Sequence, residues 1–136
     1  NGDAPRQFVL STRQGAHWIN DSQWDGRVAS EEETVEFGTT ELWDVINTSP
    51  LAHPMHFHGE AFTVVERAWE NDAAAGSWET IAAGIVETGP RDTVLLWPGQ
   101  RVRIAIRFTA NRGYFTYHCH ILEHEDAGMM RNFLVV

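Results

Sequence analysis

From Arg101 to Phe108 the side chains alternate. Val102, Ile104, Ile106 and Phe108 are apolar, and Arg101, Arg103, Ala105 and Arg107 stand among them. Successive side chains of an extended chain point to opposite faces, so a period of two marks a strand with one buried and one wet side. Such a half-buried strand belongs to an antiparallel sheet whose apolar face needs a second layer over it. The arginines at 101, 103 and 107 read as the solvated side of that strand.

Shorter runs of the same kind recur. Thr34 to Phe37 and Glu41 to Ile46 are β-prone and are separated by Gly38. Ala61 to Val65 is another, and Thr93 to Trp97 closes at the turn signal Pro98-Gly99. Asn111-Arg112-Gly113 makes a turn before Tyr114 to Cys119, and Asn132 to Val136 reads as the last strand. The first thirty residues are rich in Gly, Asn, Asp, Ser and Gln, with short apolar pieces at Phe8-Val9-Leu10 and Trp18-Ile19. They predict an edge strand followed by loops. Asn71 to Gly84 is rich in Ala and Gly and predicts a long loop with room for a helical turn. Many short strands, Gly and Pro turns and no sustained helical period predict an all-β, Greek-key β-sandwich. No stretch calls for a second core, so residues 1–136 read as a single domain.

Composition narrows the function classes. Ten Lys and Arg against 19 Asp and Glu give a formal charge of −9, the wrong sign for a nucleic-acid partner. No apolar run approaches the ~18 residues of a membrane span. No basic start followed by an apolar stretch is present, so no signal peptide is expected in this chain. One cysteine excludes an internal disulfide framework.

The seven histidines are not scattered. Six fall in two segments, His53-Pro54-Met55-His56-Phe57-His58-Gly59 and His118-Cys119-His120-Ile121-Leu122-Glu123-His124-Glu125-Asp126-Ala127-Gly128-Met129-Met130. If both segments begin as strands, His56 and His58 share one face, and so do His118 and His120. Cys119 then points the other way. A turn after His120, which Gly128 permits, lets His124 and Met129 join Cys119. Pro54 favours an extended backbone at His53 and separates it from the His56/His58 pair. His17 stands beside Trp18, away from both segments, and reads as an ordinary half-buried histidine.

A thiolate, two imidazoles and a weak axial Met make up the blue-copper electron-transfer set. His53, Cys119, His124 and Met129 supply it. Met130 reads as a core residue, since the spacing from Cys119 favours its neighbour. Structural zinc is the poorer reading, because such sites use several cysteines. A nucleophilic Cys119 would need an orienting base and an open cleft, and two flanking histidines on the opposite strand face fit ligation better. His56, His58, His118 and His120 form a second, sulfur-free set suited to copper or zinc. The two sets meet at His118-Cys119-His120, a short bonded route for an electron.

These motifs resemble the multicopper oxidases, which include laccases and bacterial cuprous oxidases, and specifically their C-terminal cupredoxin domain. The resemblance runs from about Phe8 to Val136, with Glu41-Leu42-Trp43 and Asp92-Thr93-Val94 also in place. It implies a cupredoxin-like Greek-key β-sandwich. It implies that His53, Cys119 and His124 bind a type 1 copper with Met129 axial, that His56 binds the type 2 copper, and that His58, His118 and His120 bind the type 3 pair. Glu125 matches an acidic residue that relays protons near the cluster. The implied reaction takes electrons from a reducing small molecule, such as a phenol, or from a metal ion, and passes them to dioxygen. The implied location is periplasmic or secreted.

The chain departs from the family in one large respect. A complete trinuclear cluster there uses eight histidines from two cupredoxin domains, and this chain offers four. The other face is expected from another cupredoxin domain, from a further part of the same gene product, or from a homo-oligomer copy. Glu60 stands where many relatives carry a further His, and the Met-rich segment of cuprous oxidases is missing. Asp92 reads as a residue that orients a neighbouring backbone or imidazole, and Asp126 as a solvated acid. The rival reading keeps the type 1 site alone, as an electron carrier or copper-binding module.

Overall fold

The computed structural model describes residues 4–26 and 29–136. Ten strands build it: β1 Arg6–Arg13, β2 Ala16–Ile19, β3 Thr34–Val35, β4 Thr40–Asn47, β5 His53–Phe57, β6 Phe62–Trp69, β7 Thr93–Leu96, β8 Gln100–Arg107, β9 Gly113–Cys119 and β10 Met130–Val135. Two helices, α1 Ala75–Ala82 and α2 Leu122–Asp126, interrupt them. The strands form two five-stranded sheets, one ordered β2-β1-β4-β8-β6 and the other β3-β10-β9-β5-β7. Pairing is antiparallel except where β1 meets β4 and β3 meets β10. The fold is all-β. Among the described residues no helix is long and apolar enough to cross a membrane.

The alternation in β8 does what its period dictates. Val102, Ile104, Ile106 and the adjacent Phe108 are buried, and β8 sits between β4 and β6. Its outer face is less bare than expected. Arg103 makes two hydrogen bonds to the buried carboxylate of Asp44, and Arg101 pairs with Glu66 and Glu70; only Arg107 is exposed. Between the sheets the rings of Phe8, Phe57, Phe108 and Phe133 surround the fully buried Trp43. The indole N–H of Trp43 donates to Glu41 and the Tyr117 hydroxyl to Glu33, so neither buried polar group is orphaned.

Three sequence expectations give way here. β1 is not an edge strand: it lies between β4 and a further strand, β2, which contains the Trp18-Ile19 piece. It pairs with a strand along each edge, and Phe8 and Leu10 are buried on its core face. β6 runs on to Trp69 past a register shift between Val64 and Glu66, where Val65 turns outward to 56 % exposure. Asn71 to Gly84 holds a 3-10 turn and then the eight-residue α1, with the Asn71 side chain capping the turn through the Ala73 N–H. No residue of α1 is buried, and Trp78 lies against Trp97 and beneath the Arg67 guanidinium.

Gly99 shows why the turn after β7 needs its glycine. Its φ is +81°, and a Cβ there would stand 2.0 Å from the Asn71 carbonyl oxygen. That approach lets Glu70 and Asn71 donate their N–H groups to the Gly99 carbonyl, fastening the end of β6 to the β7–β8 turn.

Candidate metal centre

β5 and β9 lie side by side with Met55 opposite Cys119, His56 opposite His118 and Phe57 opposite Tyr117. Strand parity then sorts the donors. His53, Met55 and Phe57 face the core and are buried, while His56 points outward. On β9 Cys119 is fully buried on the core side, opposite in sense to the flanking His118 and His120. One sheet thus presents two donor sets, one on each face.

On the inner face, Cys119 Sγ lies 3.5 Å from His53 Nδ1 and 3.4 Å from His124 Nδ1. Two ligands at metal bond lengths of about 2.0 and 2.3 Å and near-tetrahedral or trigonal angles stand about 3.5–3.8 Å apart, so these atoms fit around one ion. The chain reverses to bring His124 in. α2 follows His120, Gly128 takes a φ of +89°, the Met129 N–H donates to the His124 carbonyl, and the Cys119 N–H donates to the Met129 carbonyl. Met129 is fully buried in the same core as Cys119. Met130, expected in the core, is only half-buried: it is the first residue of β10, next along the chain from the inward-facing Met129.

Hydrogen bonding fixes the His53 tautomer. The Ser49 hydroxyl donates its one proton to the Leu51 carbonyl, so at 2.7 Å it accepts from His53 Nε2–H. The lone pair is left on Nδ1, toward Cys119. Burial lowers the His53 pKa to about 3, with His124 and His17 adding to it, so the ring is neutral, the form that binds metal. Burial also holds the Cys119 thiol up at about 11. A cation at this set would have to displace that proton.

The outer set is more open. His58 Nε2 and His118 Nε2 are 3.1 Å apart, and donor atoms of His56, His58 and His118 lie within 4.8 Å of one another. The His120 ring stands 5.5 Å from those of both His56 and His118. Their far nitrogens are occupied. His56 Nδ1–H donates to the Asp92 carbonyl at 3.0 Å, and Asp92 Oδ1 in turn accepts from Thr93. His118 Nδ1 faces the Cys119 carbonyl at 3.1 Å and Glu125 Oε2 at 3.4 Å. Both partners accept only, so the Nε2 atoms of His56 and His118 carry the free lone pairs. Burial, then the neighbouring imidazoles, lowers the His58 pKa. Glu60 is not among these donors; its carboxylate accepts from the Ala110 N–H.

Two residues at the inner set carried no weight in the sequence reading. Ser49 orients His53. His17, expected apart from both motifs, is buried and its ring centroid lies 3.7 Å from that of His124. Its parity with the buried Ile19 along β2 was the available signal.

Comparison with known proteins identifies the family. The multicopper oxidase family pattern matches residues 2–136. A laccase of Haloferax volcanii is 40% identical over 96% of this chain, and one of Bacillus subtilis 35% over 83%. The chain spans 21% and 23% of those two relatives. Among solved structures, a multi-copper oxidase from Pediococcus acidilactici superposes with a TM-score of 0.78 at 30% identity, over 98% of this chain and 26% of that one. The McoA multicopper oxidase of Aquifex aeolicus gives 0.74 at 28% identity, over 99% of this chain and 30% of that one. The two-sheet sandwich is therefore cupredoxin-like, copper is the cofactor the family implies, and the chain belongs to the multicopper oxidase family.

Proposed function

We propose that residues 1–136 form one cupredoxin unit of a copper-dependent, laccase-like oxidase. In this reading His53, Cys119, His124 and Met129 would hold the type 1 copper. His56 serves the type 2 copper, and His58, His118 and His120 serve the type 3 pair. Copper in such a Cys/His/Met set supplies one-electron redox chemistry.

The rest is done by the chain's own residues. Ser49 keeps the His53 Nδ1 lone pair aimed inward, and full burial of His53 and Cys119 keeps water out. His118-Cys119-His120 joins the two sets through the bonds of three consecutive residues. Glu125, half-buried beside His118 Nδ1, can hold a proton between that ring and solvent. Asp92 fixes His56 through its carbonyl. The unit would accept electrons from a reducing small molecule, a phenol among them, or from a metal ion, for reduction of dioxygen to water.

Four imidazoles are half of the trinuclear set, so the other half would come from a second cupredoxin domain or another copy. The chain's 21–30% share of its relatives supports a partner domain in a longer protein. The proposed location is the periplasm or the secreted space.

The observation that carries this reading is the β5–β9 register, which puts imidazole opposite imidazole on one face and the thiol on the other. Copper analysis and oxygen uptake of the full-length protein test it. More than one copper per chain and oxygen consumption with a phenolic or metal-ion donor are expected. One copper per chain at full loading, with no oxygen consumed, would make the chain an electron-transfer or copper-binding module instead.

A further inference from the structure

His17 is the seventh histidine, and its surroundings are built. It lies opposite Thr12 in the β1–β2 hairpin, and its Nδ1 is 2.9 Å from the Thr12 hydroxyl. Its ring lies over that of His124, tilted by 33° at 3.7 Å. The segment after β2 is stitched to the loop that carries His124 and Met129. The Gln23 side-chain amide donates both to the His17 carbonyl, at 3.1 Å, and to the Ala127 carbonyl, at 3.0 Å. The Trp24 N–H donates to the Gly128 carbonyl at 2.8 Å. A Cβ added at Gly128 would stand 3.4 Å from the Gln23 Cβ and from the Trp24 backbone nitrogen.

A donor atom of His17 lies within 4.8 Å of donor atoms of His53 and His124, so a role as a third imidazole ligand has to be weighed. The stacking opposes it. Imidazole lone pairs lie in the ring plane. A ring laid over His124 aims its lone pairs roughly alongside, and not at, an ion bound in the plane of His124. Stacking does something else well: it restricts rotation of the His124 ring about its side-chain torsions, which α2, only five residues long, does little to restrain.

We infer that His17 is a positioning residue for the Cys119 set: clamped by Thr12 and Gln23, it fixes the plane of the His124 ring and so the approach of His124 Nδ1 to the ion. This rests on the type 1 reading above. Geometry and polarity around a Cys/His set tune its colour and potential, so both should respond when the clamp is removed.

The test compares wild type, His17→Leu, His17→Phe and Gln23→Ala in the copper-loaded full-length protein. The readouts are visible and electron paramagnetic resonance spectra and the reduction potential. The metal-free protein adds the proton resonances of the His124 ring. His17→Leu is expected to shift the thiolate absorption and the copper hyperfine pattern, and to raise the potential by replacing a polar ring with an apolar group. In the metal-free protein it should move the His124 ring protons downfield, because the shielding face is gone. His17→Phe restores a stacked ring, so spectra and ring shifts should return toward wild type while the potential stays raised. Gln23→Ala leaves the ring in place and should perturb the spectra in the same sense but less. Spectra and ring shifts unchanged in both His17→Leu and Gln23→Ala would overturn the clamp, and if His17→Leu does not fold, no change in Gln23→Ala does so alone. A wild-type protein without blue absorption would overturn the type 1 reading itself, a separate outcome from a blue wild type whose variants are silent.

Discussion

Glu125 Oε2 stands 3.4 Å from Nδ1 of His118, while Nε2 of the same ring faces His58 at 3.1 Å. The carboxylate therefore touches the outer set from behind, through the atom a metal would not use. Glu125→Gln keeps the shape and removes the charge and the proton-accepting capacity. Oxygen uptake should fall about 10–100-fold, the usual effect of losing an outer partner of a ligating histidine. The blue absorption of the inner set should be unchanged, because Glu125 bonds to none of its members. Steady-state oxygen consumption beside a visible spectrum of the same sample checks both halves.

Ser49 makes the matching prediction for the inner set. Ser49→Ala removes the acceptor at 2.7 Å from His53 Nε2 and leaves a fully buried N–H without a partner. The stability cost should be about 1–3 kcal/mol. Copper affinity of the blue site should drop about 10–100-fold, with the colour retained at saturating copper. A copper titration followed in the visible, with a thermal melt of the metal-free protein, measures the two effects.

Both residues bear on what was legible in the sequence. The sorting of the candidate side chains was, because parity along two strands fixes it before any coordinates exist: His53 with Met55 and Phe57, His56 with His58, Cys119 against its two neighbours. The β-sandwich was legible from the alternation in β8. Ser49 was not, since its contact with His53 depends on how Asn47 to Leu51 turns, through side chain–backbone bonds that have no periodicity. His17 was hidden by distance in sequence: 107 positions separate it from His124, and the two segments meet through the Gln23 and Trp24 bonds to the Ala127 and Gly128 carbonyls. The interior place of β1 depends on β2 and β4 flanking it, which no local pattern encodes. α1 was weakly patterned because it buries none of its residues and so needs no apolar stripe.

Beside β9 and β10 lies a buried carboxylate, that of Glu33. Glu33 is 4 % exposed and accepts from Arg131 Nε and Nη2, the Ser30 N–H and the Tyr117 hydroxyl. Burial by itself would raise its pKa; the Arg131, Ser30 and Tyr117 hydrogen bonds outweigh that and leave it below the usual 4.5. A depressed folded-state pKa gives stability that is present above the unfolded value and lost as pH falls through the folded one. Glu33→Gln should therefore cost about 1–3 kcal/mol near neutral pH. The gap to wild type should narrow as pH drops below 4.5. Melting curves of the metal-free proteins at pH 7 and through the acid range test this; a gap that is constant with pH would contradict it.

The central claim is that Cys119 is a copper-bound thiolate on the inner face, separate from the imidazoles outside. Cys119→Ser in the full-length protein, with copper counted and the visible spectrum recorded, tests it most directly. The account predicts that the intense blue absorption disappears while copper remains at the outer histidines. Survival of the blue absorption in the serine variant would contradict it.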